Sequence, residues 1–131
     1  MTEEDRIGAL LVDAAVKIHR ELGPGLLESV YEVILAHELR RRGLQIARQV
    51  PIAVVYEGLR FDEGFRADLV IEGKVIVELK CVERLNNAHR KQLLTYLRLT
   101  KLRLGFLLNF AEALMKNGIV RTVNQLQECH R

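Results

Sequence analysis

Acidic and basic side chains that could share one catalytic site lie between Asp68 and Lys80. Asp68 is followed ten residues later by Glu78-Leu79-Lys80. Side chains alternate across a strand, so we expect Glu78 and Lys80 on one face and Leu79 on the other. Carboxylates supply the hard oxygen ligands that Mg²⁺ or Mn²⁺ prefers, and these ions favour phosphate substrates. A neighbouring lysine can orient or deprotonate an attacking water and can offset the negative charge that builds up on a phosphoryl group.

The turn around Glu72-Gly73 decides whether Asp68 joins Glu78. A two-residue turn would place the two acids on opposite faces of the sheet. A three-residue turn, Ile71-Glu72-Gly73, with its glycine in the left-handed conformation, pairs Asp68 with Ile76. Asp68 then lies diagonally across from Glu78, about 7–8 Å away. We predict the three-residue turn, which puts both acids within reach of one cation.

A structural interpretation of the same residues stays open. Asp68, Glu78 and Lys80 can form the polar side of a half-exposed sheet, and this spacing is weakly specific when taken alone. The strand from Lys74 to Cys81 is otherwise apolar on both faces, so we expect Glu78 to be buried and to need a partner. That setting favours the catalytic interpretation.

Two helices are predicted before this stretch. Thr2 can cap the first, in which apolar residues recur at helical spacing as far as Leu22. Gly23-Pro24-Gly25 ends it, and the second helix is predicted from about Leu26 to Arg42. Gly43 follows, where a left-handed residue is expected.

The apolar period then changes from that of a helix to that of strands. We expect strands at 50–56, 65–71, 74–81, 102–110 and 119–123. Residues 59–61 can resume the first strand before a break at Asp62-Glu63-Gly64. Asn86-Asn87 is expected to cap a third helix that reaches Thr100. The order α-α-β-β-β-α-β-β predicts one layered α/β domain over residues 1–131.

Three motifs together resemble a known family. Asp68 followed by Glu78-Leu79-Lys80 looks like the PD-(D/E)xK nuclease superfamily, with Ala67 in place of the proline of its name. Residues 25–31 match the Gly-x-x-Glu-x-x-Tyr signature of the GxxExxY protein family within that superfamily. Residues 92–96 match the Gln-x-x-x-Tyr element of its exonuclease-like branches. The resemblance covers residues 14–123 and implies a restriction-endonuclease-like αβββαβ core, with a central mixed sheet flanked by helices.

The resemblance also implies roles for the matching residues. Asp68 and Glu78 would be ligands of Mg²⁺ or Mn²⁺, completed by Glu28 and by the Leu79 carbonyl. The catalytic residues would be Lys80, Glu28 and Gln92, with Lys80 as base or charge stabiliser, and the supporting residues would be Tyr31 and Tyr96. Structural interpretations stay open for the helical members. They are helix capping for Glu28, core packing for Tyr31, and a packing face for Gln92 and Tyr96.

Composition limits the function classes but identifies none. Among 131 residues, 20 Lys and Arg face 17 Asp and Glu, and this formal charge of +3 permits a polyanionic partner without requiring one. Basic residues cluster at Arg40-Arg41-Arg42 with Arg48, and again at Arg98, Lys101 and Arg103, where they could contact a nucleic-acid backbone or form solvated helix ends. Two cysteines exclude a disulfide framework and a four-cysteine zinc site.

These observations predict a Mg²⁺-dependent nuclease that hydrolyses phosphodiester bonds in nucleic acid, DNA in preference to RNA. The alternative is a non-catalytic nucleic-acid-binding or regulatory module that retains the fold, and a third reading is a plain interaction domain. A domain this small is expected to use a homodimer or a protein partner to hold its substrate. The acidic N-terminus and the lack of a long apolar stretch predict a cytoplasmic protein that does not enter a membrane.

Overall fold

The computed structural model, which describes residues 1–125, has the order of helices and strands predicted from the sequence. The elements are α1 (Glu3–Leu22), α2 (Glu28–Arg41), β1 (Ile46–Tyr56), β2 (Leu59–Ile71), β3 (Val75–Lys80), α3 (Asn87–Thr100), β4 (Leu104–Asn109), a 3-10 helix (Met115–Gly118) and β5 (Ile119–Val123). The polar tail beyond residue 125 lies outside the described residues. Within residues 1–125, no helix combines the length and the apolar content that crossing a membrane requires.

Local capping explains where the helices begin and end. Thr2 accepts a hydrogen bond from the Asp5 N–H at 3.0 Å and starts α1, as the sequence predicted. Asn86 does the same for α3 through the His89 N–H, also at 3.0 Å. Gly43 follows α2 at φ +89°, in the conformation expected there. Without a side-chain cap at its start, α2 begins at Glu28, two residues later than predicted.

One mixed sheet holds the strands in the order β1-β2-β3-β4-β5. Only β3 and β4 run parallel, and the other neighbours are antiparallel. A parallel pair needs a crossover connection, which α3 provides. Every residue of β4 is buried, and β3 is buried except at Lys80, which accounts for their nearly continuous apolar sequences.

The helices form a layer on each face of the sheet. One hydrophobic core includes Leu11 of α1, Leu35 of α2 and Val77 of β3. A smaller core on the other face includes Leu93 of α3 and Ile76 of β3. The predicted α/β architecture, a mixed sheet flanked by helices, is therefore confirmed.

The predicted break at Asp62-Glu63-Gly64 is wrong, because β2 runs through it without interruption. The pairing of β1 with β2 instead changes register between Ile52 and Val54. A Cβ atom on Gly64 would lie 2.1 Å from a methyl carbon of Val54, so only glycine fits where the two strands pack at this bulge. The turn-forming residues therefore produce a bulge in a long hairpin.

The β2–β3 turn has the predicted length of three residues, but its register differs from the prediction. Ile71 pairs with Val75, so the three-residue connection is Glu72-Gly73-Lys74 instead of the predicted Ile71-Glu72-Gly73. Ile71 stays in the sheet because it is fully buried and also pairs with Ile46 of β1. The predicted pairing of Asp68 with Ile76 is therefore wrong by two residues.

Candidate active site

Asp68 and Glu78 face each other where β2 and β3 separate. The backbone pairing of the two strands ends at Leu69 and Val77. Beyond it, the Asp68 N–H donates to Glu78 Oε2 at 2.8 Å, and the Leu79 N–H donates to Asp68 Oδ2 at 2.9 Å. The two carboxylates thus take the place of the next main-chain acceptors. We call this point, formed by Asp68 and Glu78, the carboxylate fork.

An irregularity in the strands directs Asp68 into the carboxylate fork. Ala67 and Val70 both pack on the α3 side of the sheet, although residues three positions apart in a regular strand face opposite sides. Gln49, which lies across from Asp68 in β1, has a φ of +52°. The alternation therefore breaks at Asp68, and its side chain turns toward β3 within the sheet.

Burial and repulsion change the protonation of Glu78. The residue is 5% exposed, and its pKa is raised from an ordinary 4.5 to a net value of about 8, with burial as the largest cause. The negative charge of Asp68 also contributes to this rise, whereas the hydrogen bond from the Asp68 backbone and the charge of Lys80 oppose it. Perturbed carboxyl groups of this kind are concentrated at functional sites.

Glu28 faces the fork from the first turn of α2. Partial burial raises the pKa of its carboxyl group, and the charge of Asp68 raises it again. Lys80 lowers that pKa by attraction. Glu28 is an exposed residue overall, so its side chain reaches the site from the surface. The structure thus brings together four of the predicted residues: Glu28, Asp68, Glu78 and Lys80.

Glu32 and Gln49 belong to the site but were not predicted from the sequence. Glu32 is 5% exposed and accepts from Arg48 Nε at 3.1 Å and from Gln49 Nε2 at 2.7 Å. Gln49 Nε2 also lies 3.3 Å from Asp68 Oδ1, so one amide connects α2 to the fork. Glu32 follows Glu28 by four residues, a spacing that places both on one helix face and could have indicated it. Gln49 has no comparable sequence signal, because its contact depends on the left-handed backbone.

Lys80 ends β3 next to a buried asparagine that fixes the following loop. Its carbonyl accepts from the Phe110 N–H at 3.0 Å, and it pairs in register with Asn109. Asn109 is fully buried, donates to the Val82 carbonyl at 2.8 Å and accepts from the Val82 N–H at 3.1 Å. The Asn109 side chain therefore binds both the N–H and the carbonyl of Val82, and this fixes the chain that follows Lys80.

The two predicted tyrosines have different surroundings. Tyr31 is fully buried, stacks on Phe110 with ring centroids 4.4 Å apart, and donates to the Gly23 carbonyl at 2.5 Å. It holds the turn before α2 and, within the described part of the chain, has no hydrogen bond to the carboxylates of the fork. Tyr96 stacks on Phe65 at 3.6 Å. Burial raises the pKa of Tyr96, and the charges of Glu78 and Asp68 raise it further, which places this ring beside the fork.

Gln92 lies one helical turn before Tyr96 on α3 and is exposed. In residues 1–125, its side chain has no hydrogen bond to the carboxylates of the fork. The structure therefore brings Gln92 to the neighbourhood of the site through its helix, without a contact to Asp68 or Glu78.

The carboxylates suit a hard divalent cation in type but do not form a finished cage. Within residues 1–125, no three His, Cys, Asp or Glu side chains are arranged as a ready-made ion site. Glu78 and Asp68 each give one oxygen to a main-chain N–H. Burial is the largest cause of the raised pKa of Glu78 and of Glu28, and the charge of Asp68 adds to both, a repulsion that a cation would relieve. The oxygen ligands therefore suit a divalent cation, and Glu28 is the acid whose side chain has to move toward the other two to complete the site.

A mixed sheet flanked by helices, with an Asp, a Glu-x-Lys and a helix acid at one fork, defines a restriction-endonuclease-like α/β domain. Comparison with family profiles matches residues 5–122 to the PD-(D/E)XK nuclease superfamily, and the chain belongs to that superfamily. Its nucleases generally use divalent metals. No curated protein and no solved structure matches the chain. Membership of the narrower GxxExxY family stays a prediction.

Proposed function

We propose that this protein is a Mg²⁺- or Mn²⁺-dependent nuclease that hydrolyses phosphodiester bonds, in DNA in preference to RNA. The observation that supports this most directly is the carboxylate fork, with Lys80 two residues after Glu78 and Glu28 facing it from α2. Three acids and a lysine at one point match the chemistry that phosphoryl transfer requires. The proposal follows from membership of the superfamily together with this geometry.

In this proposal Asp68, Glu78 and Glu28 hold the cation, with the Leu79 carbonyl as a further oxygen. A bound divalent cation supplies Lewis-acid polarisation of a phosphoryl oxygen and a more acidic water. The pKa of Glu78 is about 8, so much of this residue carries a proton at neutral pH and must release it when a cation enters.

The other residues act on substrate and charge. The ammonium group of Lys80 offsets negative charge that develops on the attacked phosphate. Tyr96 forms a wall of the site together with Phe65, on which it stacks. Gln92 approaches the phosphate from the surface of α3 once substrate is bound. Tyr31 acts at a distance, because its hydroxyl fixes the turn from which Glu28 starts α2.

A non-catalytic nucleic-acid-binding module is the second candidate, and one observation favours it. Both acids of the fork already satisfy main-chain N–H groups, so they have a structural role without any cation. In such a module the fork would hold β2 to β3 and nucleic acid would bind elsewhere on the domain.

Nuclease assays with a titration of Mg²⁺ and Mn²⁺ separate the two candidates. Linear duplex, nicked duplex and single-stranded DNA, and an RNA of the same sequence, are compared in the presence of chelator and of each metal. We expect metal-dependent cleavage that falls by at least about 100-fold in Glu78→Gln and in Lys80→Ala. The matched controls are Glu83→Gln and Lys74→Ala, which change exposed residues and should keep full activity.

Equal activity in the wild-type protein and both site variants would identify a contaminant and end the catalytic proposal. Nucleic-acid binding that persists without any metal-dependent cleavage would support the binding module. A homodimer or a protein partner and a cytoplasmic location stay predictions from the sequence.

A further inference from the structure

Positive charge is concentrated in one segment of the chain. Residues 84–111 contain no Asp or Glu, but they contain six of the basic residues. They are Arg84, Arg90, Lys91, Arg98, Lys101 and Arg103. Because the whole chain has a formal charge of +3, the remainder carries an excess of negative charge. The segment consists of α3, the loop before it, and the buried strand β4 after it.

The structure distinguishes this segment from the other basic cluster of the sequence. Arg41 pairs with Glu38 at 3.0 Å, and Arg42 pairs with Asp13 at 2.6 Å. Arg48 pairs with Glu32 at 3.0 Å. The cluster at Arg40-Arg41-Arg42 and Arg48 is therefore largely occupied by ion pairs within α2 and between α2 and its neighbours.

Five of these six basic residues, all except Arg103, are exposed and make no ion pair with another residue of the range 1–125. We call Arg84, Arg90, Lys91, Arg98 and Lys101 the α3 basic surface. Exposed cations gathered on one surface repel each other unless an opposite charge offsets that repulsion. An anionic partner would do so.

The α3 basic surface lies on the helix that borders the carboxylate fork. α3 packs on the sheet through Leu93 and Leu97, and its Tyr96 lies beside Glu78 and Asp68. From Arg90 to Lys101 the helix rises about 16 Å, which equals the axial length of about five nucleotides of a duplex strand at about 3.4 Å each. A phosphate backbone that follows this surface would therefore extend over several nucleotides next to the fork.

We infer that the α3 basic surface binds the phosphate backbone of nucleic acid and positions it at the carboxylate fork. The inference deepens the proposed nuclease function and rests on it for the identity of the polyanion. Regular anionic charge along a backbone matches cations spread along a helix, whereas a membrane site would combine them with an apolar face. The small net charge of the whole chain thus conceals a locally basic surface.

Salt-dependent binding of the full chain to a duplex oligonucleotide, and to one of its single strands, tests the inference. Dissociation constants are measured in chelator between 50 and 200 mM salt, so that no cleavage occurs. The test variant combines Arg90→Gln, Lys91→Gln and Arg98→Gln. The control variant combines Arg20→Gln, Lys74→Gln and Lys116→Gln, which removes the same charge from exposed residues away from α3.

If the five residues of the α3 basic surface each contact a phosphate, this fourfold rise in salt should weaken duplex binding by the wild-type protein about 500-fold. The test variant keeps two of these contacts, so its binding should weaken only about 12-fold. The control variant should behave as the wild-type protein does. Thermal unfolding checks that both triple variants are folded.

Equal loss of salt dependence in the test and control variants would overturn the inference, because only overall charge would then matter. Stronger binding to phosphatidylserine-containing vesicles than to the oligonucleotides, with the same sensitivity to the test variant, would also overturn it. Binding through α3 without cleavage in Mg²⁺ would support this surface and remove the nuclease proposal. Metal-dependent cleavage with an unchanged KM in the test variant would support the nuclease proposal and overturn the role of the α3 basic surface.

Discussion

Replacing Glu78 by glutamine should stabilise the protein at neutral and alkaline pH. The pKa of Glu78 is raised to about 8 from an ordinary 4.5, so the folded protein binds a proton that the unfolded chain releases above pH 4.5. The folded state therefore loses stability as pH rises from 4.5 to 8, and the loss levels off above that range. Glutamine resembles the protonated acid, and its carbonyl oxygen can still accept from the Asp68 N–H.

The size of the effect follows from the pKa difference. Each pH unit between 4.5 and 8 costs the wild-type protein about 1.4 kcal/mol of unfolding free energy. Glu78→Gln should therefore be more stable by about 3 kcal/mol at pH 7, with no advantage near pH 4.5. For a domain of this size the gain corresponds to a rise in Tm of about 10 °C. At 5% exposure, solvent screening reduces this figure little.

Chemical and thermal unfolding in chelator, from pH 4.5 to 8.5, measure the difference directly. Glu83→Gln serves as the control, because it makes the same change at an exposed residue and should follow the wild-type curve. Millimolar Mg²⁺ or Mn²⁺ at pH 8 should raise the Tm of the wild-type protein and leave that of Glu78→Gln nearly unchanged. A stability difference that stays constant over this pH range would refute the reasoning from burial.

Three further substitutions test single contacts. Tyr31→Phe should lower the unfolding free energy by about 1 kcal/mol, measured by denaturant titration, because the Gly23 carbonyl loses its donor while the ring stack remains. Asn109→Ala should cost about 2–3 kcal/mol in the same assay, since it leaves a main-chain amide and a carbonyl after β3 without their partner. Gln49→Ala should lower metal-dependent cleavage by about 10- to 100-fold, because Asp68 loses its lateral support, and should lower the Tm, because the buried Glu32 carboxylate loses a donor. Unchanged activity there would show that Asp68 needs no help from β1.

The elements of the fold could be predicted because local signals determine them. Thr2 and Asn86 cap helices through their own side chains, and the buried strands carry their apolar character in the sequence. The bulge at Gly64 could not be predicted, because glycine is required there by the close approach of Val54 on the neighbouring strand. The turn register failed for a similar reason, because pairing of Ile71 with β1 outweighed the local turn preference.

The site was predicted through residue types and missed where contacts depend on tertiary structure. Asp68 and Glu78 have a motif, whereas Gln49 reaches Asp68 only because its backbone is left-handed. Tyr31 matched a signature, but the structure places its hydroxyl at the turn before α2. The signature residues therefore indicated which residues lie around the fork, but not which contacts each of their side chains makes.

The carboxylate fork joins structure and chemistry in the same atoms. Asp68 and Glu78 close the end of the β2–β3 pairing by accepting main-chain N–H groups, so alanine at either position would open the sheet as well as remove a charge. Asparagine or glutamine keeps an acceptor for the main-chain N–H and removes the ability to carry a negative charge. Burial of Glu78, together with the nearby charge of Asp68, raises the pKa of Glu78 and makes the cation-free fold less stable, and a divalent cation would oppose both effects. The amide variants should therefore be stable and inactive. This combination is expected when a functional site lowers the stability of the protein, and it is not expected when the acids have only a structural role.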